Sequence, residues 1–444
     1  MVKIFASKGV HPPENKDLSS DKELQPLSRV SELKIPIQQH IGAPLEPTVE
    51  KGDRVERWEK IADSEAFVSA PVHSPVSGKV KGIEKISVPA GDRVEAVIIS
   101  ADEEETAGAE SDKKRNWDSS LNNLSADEIR NAVREAGIAG MGGAMFPTHV
   151  KLSVPEEKNI DYFILNGAEC EPYLTVDHRL MVERTAKLLR GFKLLMQAAE
   201  VEDGIIAIEE NKPDAIDKMK KIVEDEDNIE VEVLPSRYPQ GGETVLIKSL
   251  LDREVPVGGL PLDVGVIVNN VATAAAVADA VDRGKPLVDR PLTISGGGIN
   301  EPGNYIVPIG TPIERVIEEA GGFSGEIGKV VAGGPMLGKA QASLSAPVVK
   351  GTSGILVMRK DEVEKFEPDP CIKCARCVDV CPVDLMPTSL EEYAKEEKLD
   401  FLEEYRVTNC IECGSCSYIC PSQRPLVHYI RLGKRKLNAS QQSE

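Results

Sequence analysis

Eight of the nine cysteines fall into two copies of one spacing: Cys371, Cys374, Cys377 and Cys381 before Pro382, then Cys410, Cys413, Cys416 and Cys420 before Pro421. A C-x2-C-x2-C-x3-C-P run places three thiolates in one tight loop, while the fourth, at the start of the next helix, reaches the neighbouring cluster. The spacing predicts two [4Fe–4S] clusters and a chain that moves single electrons. Crossed in this way, one cluster takes Cys371, Cys374, Cys377 and Cys420, and the other takes Cys410, Cys413, Cys416 and Cys381. A disulfide framework belongs to short secreted domains, whereas these cysteines crowd one end of 444 residues that show no secretory leader. Zinc needs only four ligands per site, usually as paired knuckles with a longer gap. The ninth cysteine, Cys170, reads as a packed thiol.

The length suits about three domains, each able to bury its own core. A net charge of −20 argues against nucleic acid or an anionic lipid surface as the main partner. No apolar run is long enough to span a bilayer, so membrane association is expected through other subunits. The basic stretch Arg431–Lys436 reads as a solvated tail.

The expected fold is multi-domain α/β. Residues 1–100 carry an N-terminal extension and short valine-rich strands with Gly-Asp turns, Gly52-Asp53 and Gly91-Asp92, which predict a small β sandwich. It resembles the barrel-sandwich hybrid of biotinyl and lipoyl carriers, but residues 61–78 contain no lysine to modify, so a docking or structural role is expected. Residues 101–118 are charged and read as a linker, and 119–288 alternate apolar strands with helices, as in a Rossmann-like domain with a largely parallel sheet. There, Ser125–Glu128 is a capping box, Gly137 stops the first helix, and single helices are expected over 178–200 and 213–225. Residues 289–350 read as an SLBB-like β-grasp unit, with a second capping box at Thr311–Glu314 and a stop at Gly321-Gly322. A third box, Ser389–Glu392, is expected to open the helix between the cysteine runs. The ferredoxin-like cluster domain is placed at 360–432, with a basic, polar tail at 433–444.

Gly140-Met141-Gly142-Gly143 precedes Phe146 and Lys151. Glycines at that density let backbone N–H groups approach a phosphate, and a nearby lysine adds positive charge. Three further segments follow: Asn166-Gly167-Ala168-Glu169-Cys170-Glu171-Pro172, Tyr238-Pro239-Gln240-Gly241-Gly242-Glu243-Thr244 and Asn269-Asn270-Val271-Ala272-Thr273. In this order the four resemble the motifs of the NADH-oxidising flavin subunit of respiratory complex I. The resemblance implies that Gly140, Gly142, Gly143, Lys151, Asn166, Gly241, Asn269, Asn270 and Thr273 hold FMN, with Lys151 on its phosphate. It also implies that Phe146, Glu169, Glu171 and Glu243 face NAD(H), with Glu169 and Glu243 as the catalytic acids. Three family carboxylates are missing, at Ala168, Gly242 and Ala272, which puts retention of the flavin in question.

The whole chain is similar to RnfC, the C subunit of the Rnf electron transport complex, from Gly9-Val10-His11-Pro12-Pro13-Glu14 through Gln39–Pro44 and Val72–Gly78 to both cysteine runs. The His-Pro-Pro opening is absent from complex I flavin subunits. The resemblance implies a peripheral NADH-oxidising or NAD-reducing subunit on the cytoplasmic face of the membrane. Such a subunit passes electrons between NADH, FMN and two [4Fe–4S] clusters to membrane subunits, and indirectly to ferredoxin, driving ion transport. A cobalamin reductase-like soluble enzyme and a non-catalytic electron wire are the competing readings. His11, His40 and His73 read as turn or core histidines rather than metal ligands.

Overall fold

The computed structural model describes residues 8–102, 124–363 and 367–441; from residue 103 onward the 101–118 linker lies outside them. The first described strand pairs outside the first domain. β1 (Leu24–Pro26) runs parallel to a strand of the third domain, Gln25 opposite Tyr305. The sandwich follows as β2 (Glu32–Pro36), β3 (Glu46–Pro47), β4 (Arg54–Val55), β5 (Lys60–Asp63), β6 (Val72–His73), β7 (Gly78–Ser87) and β8 (Arg93–Ala101). Its sheets have the orders β2-β8-β7-β4 and β3-β5-β6. Alternate residues of β7 point inward, so Val80 joins Leu33, Ile35, Val55, Ile61, Val97 and Ile99 in the core.

His40 and His73 lie buried where this domain meets the rest. His40 Nε2 accepts from the Ala70 N–H at 3.1 Å. Burial, reinforced by the nearby Lys350 ammonium, pushes the two imidazoles down to about 4 and about 3. Groups depressed in this way stay neutral in the fold where the unfolded chain charges them, so stability is lost as pH falls below about 6.5. For His73 the expected loss on going from neutral pH to about pH 5 is roughly 2 kcal/mol. Denaturant titrations at the two pH values should show this loss shrinking in His73→Leu; an undiminished loss in the variant contradicts it.

The second domain comprises α1 (Ala126–Glu135), α2 (Thr148–Leu152), β9 (Tyr162–Gly167), α3 (Val176–Glu183), α4 (Thr185–Ala198), β10 (Asp203–Glu209), α5 (Pro213–Ile222), β11 (Ile229–Leu234), α6 (Glu243–Leu251), β12 (Val266–Asn270) and α7 (Val271–Arg283). All its strand pairs are parallel, in the order β11-β10-β9-β12. Helices cover both faces, which is why its strands read as continuous apolar runs. Ser125 and Glu128 form the reciprocal cap of α1, as the sequence predicts. The single helix expected over 178–200 is instead two. At Arg184 the backbone leaves helical geometry (φ −127°, ψ 30°), and the Thr185 hydroxyl donates to the Met181 carbonyl at 2.7 Å. Gly191 then lets α4 lie against α7, because a Cβ there would stand 1.9 Å from the Ala274 carbonyl oxygen.

The third domain comprises β13 (Asp289–Ser295), β14 (Gly303–Pro308), α8 (Ile313–Glu319), β15 (Ile327–Ala332), β16 (Lys339–Ala340) and β17 (Gly354–Arg359), in a sheet of order β1-β14-β13-β17-β15-β16. The capping box expected at Thr311 does not form. Pro312 is the N-cap, and the Thr311 hydroxyl bonds back to the Pro308 carbonyl at 2.7 Å.

The last domain comprises α9 (Arg376–Asp379), α10 (Pro387–Lys395), α11 (Leu399–Glu404), α12 (Ser415–Tyr418) and α13 (Leu426–Gln441). Its two halves repeat at one constant offset, which relates Cys371 to Cys410, α9 to α12, and the start of α10 to that of α13. The Ser389 box falls inside α10, which opens with Pro387, a residue whose fixed φ suits a first turn. The basic stretch is no tail. It lies in α13, where Arg431 pairs with Glu412 at 3.0 Å, Lys436 pairs with Glu397 at 2.7 Å, and Lys434 donates to the Cys410 carbonyl at 2.9 Å. Among the described residues no helix is long and apolar enough to cross a membrane.

Candidate redox site

β9 and β12 lie side by side, yet the chain leaves β9 toward β10 and reaches β12 only after β11. At such a reversal the helices depart to opposite faces and open a crevice at the strands' carboxyl ends. Asn166 is the penultimate residue of β9, Asn269 and Asn270 end β12, and the glycine loop 140–143 between α1 and α2 lies against Asn270. Asn166 Nδ2 donates to the Gly241 carbonyl at 2.9 Å, which ties the 238–243 turn to the sheet. Asn270 caps α7 through the Ala272 N–H, and its Nδ2 donates to Asp177 at 2.6 Å. Thr273 accepts from the Met141 N–H at 3.0 Å. Gly142 rests against Asn270, whose side chain would be 3.2 Å from an added Cβ, and Gly143 has φ +78°. The structure thus gathers Gly140, Gly142, Gly143, Asn166, Gly241, Asn269, Asn270 and Thr273 at one crevice.

This crevice fits a polar phosphorylated cofactor. Asn269 Nδ2 and Thr244 Oγ1 are buried without partners, and the N-termini of α6 and α7 converge there. The missing carboxylates have apolar replacements: Ala168 is fully buried and Ala272 is 1% exposed. Phe146, on the loop, is 36% exposed.

The charged residues are placed less simply. Lys151 Nζ bonds Glu243 at 2.7 Å and the Val268 carbonyl at 2.6 Å, so the lysine and the acid, read separately in the sequence, meet as a pair. Glu169 caps α3 by accepting from the Asp177 and His178 N–H groups at 2.7 and 3.2 Å. Glu171 accepts from the Met336 and Leu337 N–H groups at 2.7 and 2.9 Å and staples the third domain to the second. Burial pushes the Glu171 carboxyl up. Asp177 is likewise raised, to about 6, by burial and by Glu169. The Cys170 thiol, also raised by burial, accepts from the Gly241 N–H at 3.3 Å.

The cysteine loops repeat their backbone as well as their sequence. Lys373 and Glu412, Ala375 and Gly414, and Asp384 and Gln423 all take positive φ. Such turns point successive N–H groups inward, and Lys373 and Glu412 donate to Cys371 and Cys410 sulfur at 3.4 Å. The thiols gather in two sets. Burial pushes Cys410 up to about 11, with Cys413 and Cys381 adding to it, and Cys416 is raised by burial and in the fields of Cys410, Cys413 and Cys381. Cys377, likewise raised mainly by burial, has Cys420 and Cys371 as its sulfur neighbours. No three His, Cys, Asp or Glu side chains among the described residues are spaced for a single metal ion. The donor chemistry of the two loops, eight thiols in the C-x2-C-x2-C-x3-C-P spacing, fits two [4Fe–4S] clusters.

Burial separates the two sets. Cys371 and Cys374 are exposed, whereas Cys413 lies against the flavin-side turn. Tyr238 Oη donates to the Cys413 carbonyl at 2.7 Å, and Ile411 Cδ1 would lie 3.6 Å from a Cβ at Gly242. The sequence offered Tyr238 only as a motif letter. It offered no signal at all for Asp177 or for Arg290, whose Nη2 donates to the Met141 carbonyl at 2.7 Å.

Profiles of four families match: the RnfC barrel sandwich hybrid domain over 5–104, the Nuo51 FMN-binding domain over 133–279, the SLBB domain over 291–340 and a 4Fe-4S dicluster domain over 364–421. The chain is 45% identical over 445 residues to the C subunit of the proton-translocating ferredoxin:NAD(+) oxidoreductase complex of Clostridium ljungdahlii, covering 100% of this chain and 96% of that one. It is 45% identical over 431 residues to the C subunit of the Na(+)-translocating complex of Acetobacterium woodii, covering 97% and 96%. The C subunit of the ion-translocating oxidoreductase complex of Rhodobacter capsulatus is 40% identical over 436 residues, covering 98% and 83%. An NAD+-reducing [NiFe]-hydrogenase structure shares the fold, with 21% identity and a TM-score of 0.50 over 71% of this chain and 63% of that one. With matching domains in the same order from the N-terminal sandwich to the cysteine runs, the chain belongs to the RnfC family, the C subunits of the Rnf ion-translocating ferredoxin:NAD(+) oxidoreductase complexes.

Proposed function

We propose that this chain is the NAD(H)-facing subunit of an Rnf complex, held at the cytoplasmic face of the membrane by other subunits, where it exchanges electrons between NAD(H) and the membrane-bound, ferredoxin-linked part. The observation that carries this reading is the contact of Tyr238 with Cys413, which joins the switch-point crevice to a four-cysteine set within one chain. Bound FMN and [4Fe–4S] clusters supply the conversion between a hydride pair and single electrons. The residues do the rest. Gly140, Gly142 and Gly143 offer backbone to the flavin phosphate, and Asn166, Asn269, Asn270 and Thr273 orient the cofactor. Lys151 and Glu243, paired at 2.7 Å, stand beside the α6 N-terminus, where nicotinamide is to be received. Phe146 offers an apolar face at the crevice mouth. Glu169 and Glu171 act by fixing α3 and the 336–337 turn around it.

We assign Cys410, Cys413, Cys416 and Cys381 to the cluster beside the flavin, and Cys371, Cys374, Cys377 and Cys420 to the outer one. Exposure of Cys371 and Cys374 makes the outer set the exit toward partner subunits. Anaerobic reconstitution with iron, sulfide and FMN, followed by absorbance, tests the whole reading. Flavin bands that bleach with NADH are expected; a featureless brown spectrum that NADH leaves unchanged overturns it in favour of an electron wire.

A point variant tests the acid. Glu243→Gln keeps the shape of the Lys151 contact but removes the charge. It is expected to slow flavin reduction by NADH about tenfold or more, as loss of one charge-assisted contact does, with iron content unchanged. A stopped-flow rate equal to that of the parent contradicts the role.

A further inference from the structure

Arg290 lies on β13 of the third domain, yet its guanidinium ends under the glycine loop of the second. Nε donates to the Thr352 carbonyl and Nη2 to the Met141 carbonyl, both at 2.7 Å. The side chain is 1% exposed, and its remaining nitrogen, Nη1, is buried with no hydrogen-bond partner. Burial draws the guanidinium down to about 10, which leaves it cationic at neutral pH. Asp177 and Glu169 lie within its field, but neither is hydrogen-bonded to it: Asp177 Oδ2 accepts from Asn270 while its Oδ1 is buried without a partner, and Glu169 accepts from the first N–H groups of α3. A buried cation bonded only to neutral carbonyls, with one donor left over, is costly unless an anion compensates it.

Its location identifies the anion. Met141 is gripped from two sides, its N–H by Thr273 of α7 and its carbonyl by Arg290, and Gly142 and Gly143 follow directly. Lys151, which the sequence offers as the phosphate's cation, is already neutralised by Glu243 at 2.7 Å. We propose that Arg290 is the determinant of the flavin's phosphate: it fixes the glycine loop through Met141 and supplies a buried positive charge that no carboxylate pairs with. This rests on the placement of the flavin at residues 140–143 and adds to that site a residue from another domain. Arg290 is thus a positioning and specificity residue, and it makes the third domain part of the flavin site.

The test compares FMN with riboflavin, which lacks the phosphate, each titrated into flavin-free protein in phosphate-free buffer and followed by flavin fluorescence. The parent is expected to prefer FMN. Arg290→Met should weaken FMN binding about tenfold or more while leaving riboflavin binding unchanged, and Arg290→Lys, which keeps the charge, should restore most of the preference. A purely structural role would weaken both ligands equally, and that result, or an intact FMN preference in Arg290→Met, overturns the assignment. Should Arg290→Met fail to fold, Arg290→Gln, which keeps a donor but removes the charge, takes its place: loss of the FMN preference with riboflavin binding intact supports the proposal, and an intact FMN preference overturns it. Gly142→Val separates the underlying reading: if that variant retains the FMN preference, the phosphate is not at the glycine loop and the inference falls with it.

Discussion

Cys413→Ser is expected to give a protein that still binds flavin and still accepts hydride from NADH, but no longer delivers electrons to the outer cysteine set. Cys413 is 9% exposed, its carbonyl receives the Tyr238 hydroxyl at 2.7 Å, and its loop packs between that turn and Met336. Losing a thiolate from this set removes the inner cluster, and with it the stepping stone between flavin and surface. Iron content should fall by about half, since each cubane has its own four cysteines. In anaerobic stopped flow the flavin should bleach with NADH while reduction of the remaining cluster drops to background. Cys374→Ala makes the contrast, because it removes the exposed cluster and should leave the flavin-to-inner-cluster step intact. Rapid cluster reduction by NADH in Cys413→Ser would show that electrons bypass the inner set, and would sink the proposed order.

Gly191→Ala is the second large effect, and it links packing to the site. The added methyl would sit 1.9 Å from the Ala274 carbonyl oxygen, which belongs to α7 backbone and has no flexible end to yield. The helices must part, at a cost of about 3 kcal/mol, the upper part of the range for overpacked cores. The strain falls at the first turn of α7, next to Thr273, which holds the Met141 N–H at 3.0 Å, and Asn270, which flanks Gly142. The variant is therefore expected to lose flavin affinity together with stability. Denaturant titration and a flavin titration on the same preparations check this. A variant as stable as the parent contradicts the close approach, and a destabilised one with unaltered flavin affinity contradicts the coupling.

Much of the fold can be read along the chain, because the signals are local. The Ser125–Glu128 cap, the β9, β10 and β12 strands and the halt at Gly137 each depend on a few neighbouring residues. Local reading fails where another contact competes. The Thr311 hydroxyl is taken by Pro308, the Ser389 box is overtaken by Pro387, and the helix over 178–200 breaks where Thr185 captures the Met181 carbonyl. The basic run Arg431–Lys436 resembled a tail because its partners, Glu412, Glu397 and the Cys410 carbonyl, lie on other turns of the chain.

The same division runs through the site. Residue order alone determined the cysteine spacing and the four flavin motifs, since cluster loops and glycine turns are built from consecutive residues whose backbone geometry is set locally. Only the tertiary structure decided which groups act on one another: Lys151 with Glu243, Glu171 with the 336–337 turn, Tyr238 with Cys413 and Arg290 with Met141. These contacts join residues far apart in the chain and leave no periodic trace in it, because what selects each is the burial of a polar group that must find a partner once the domains have packed.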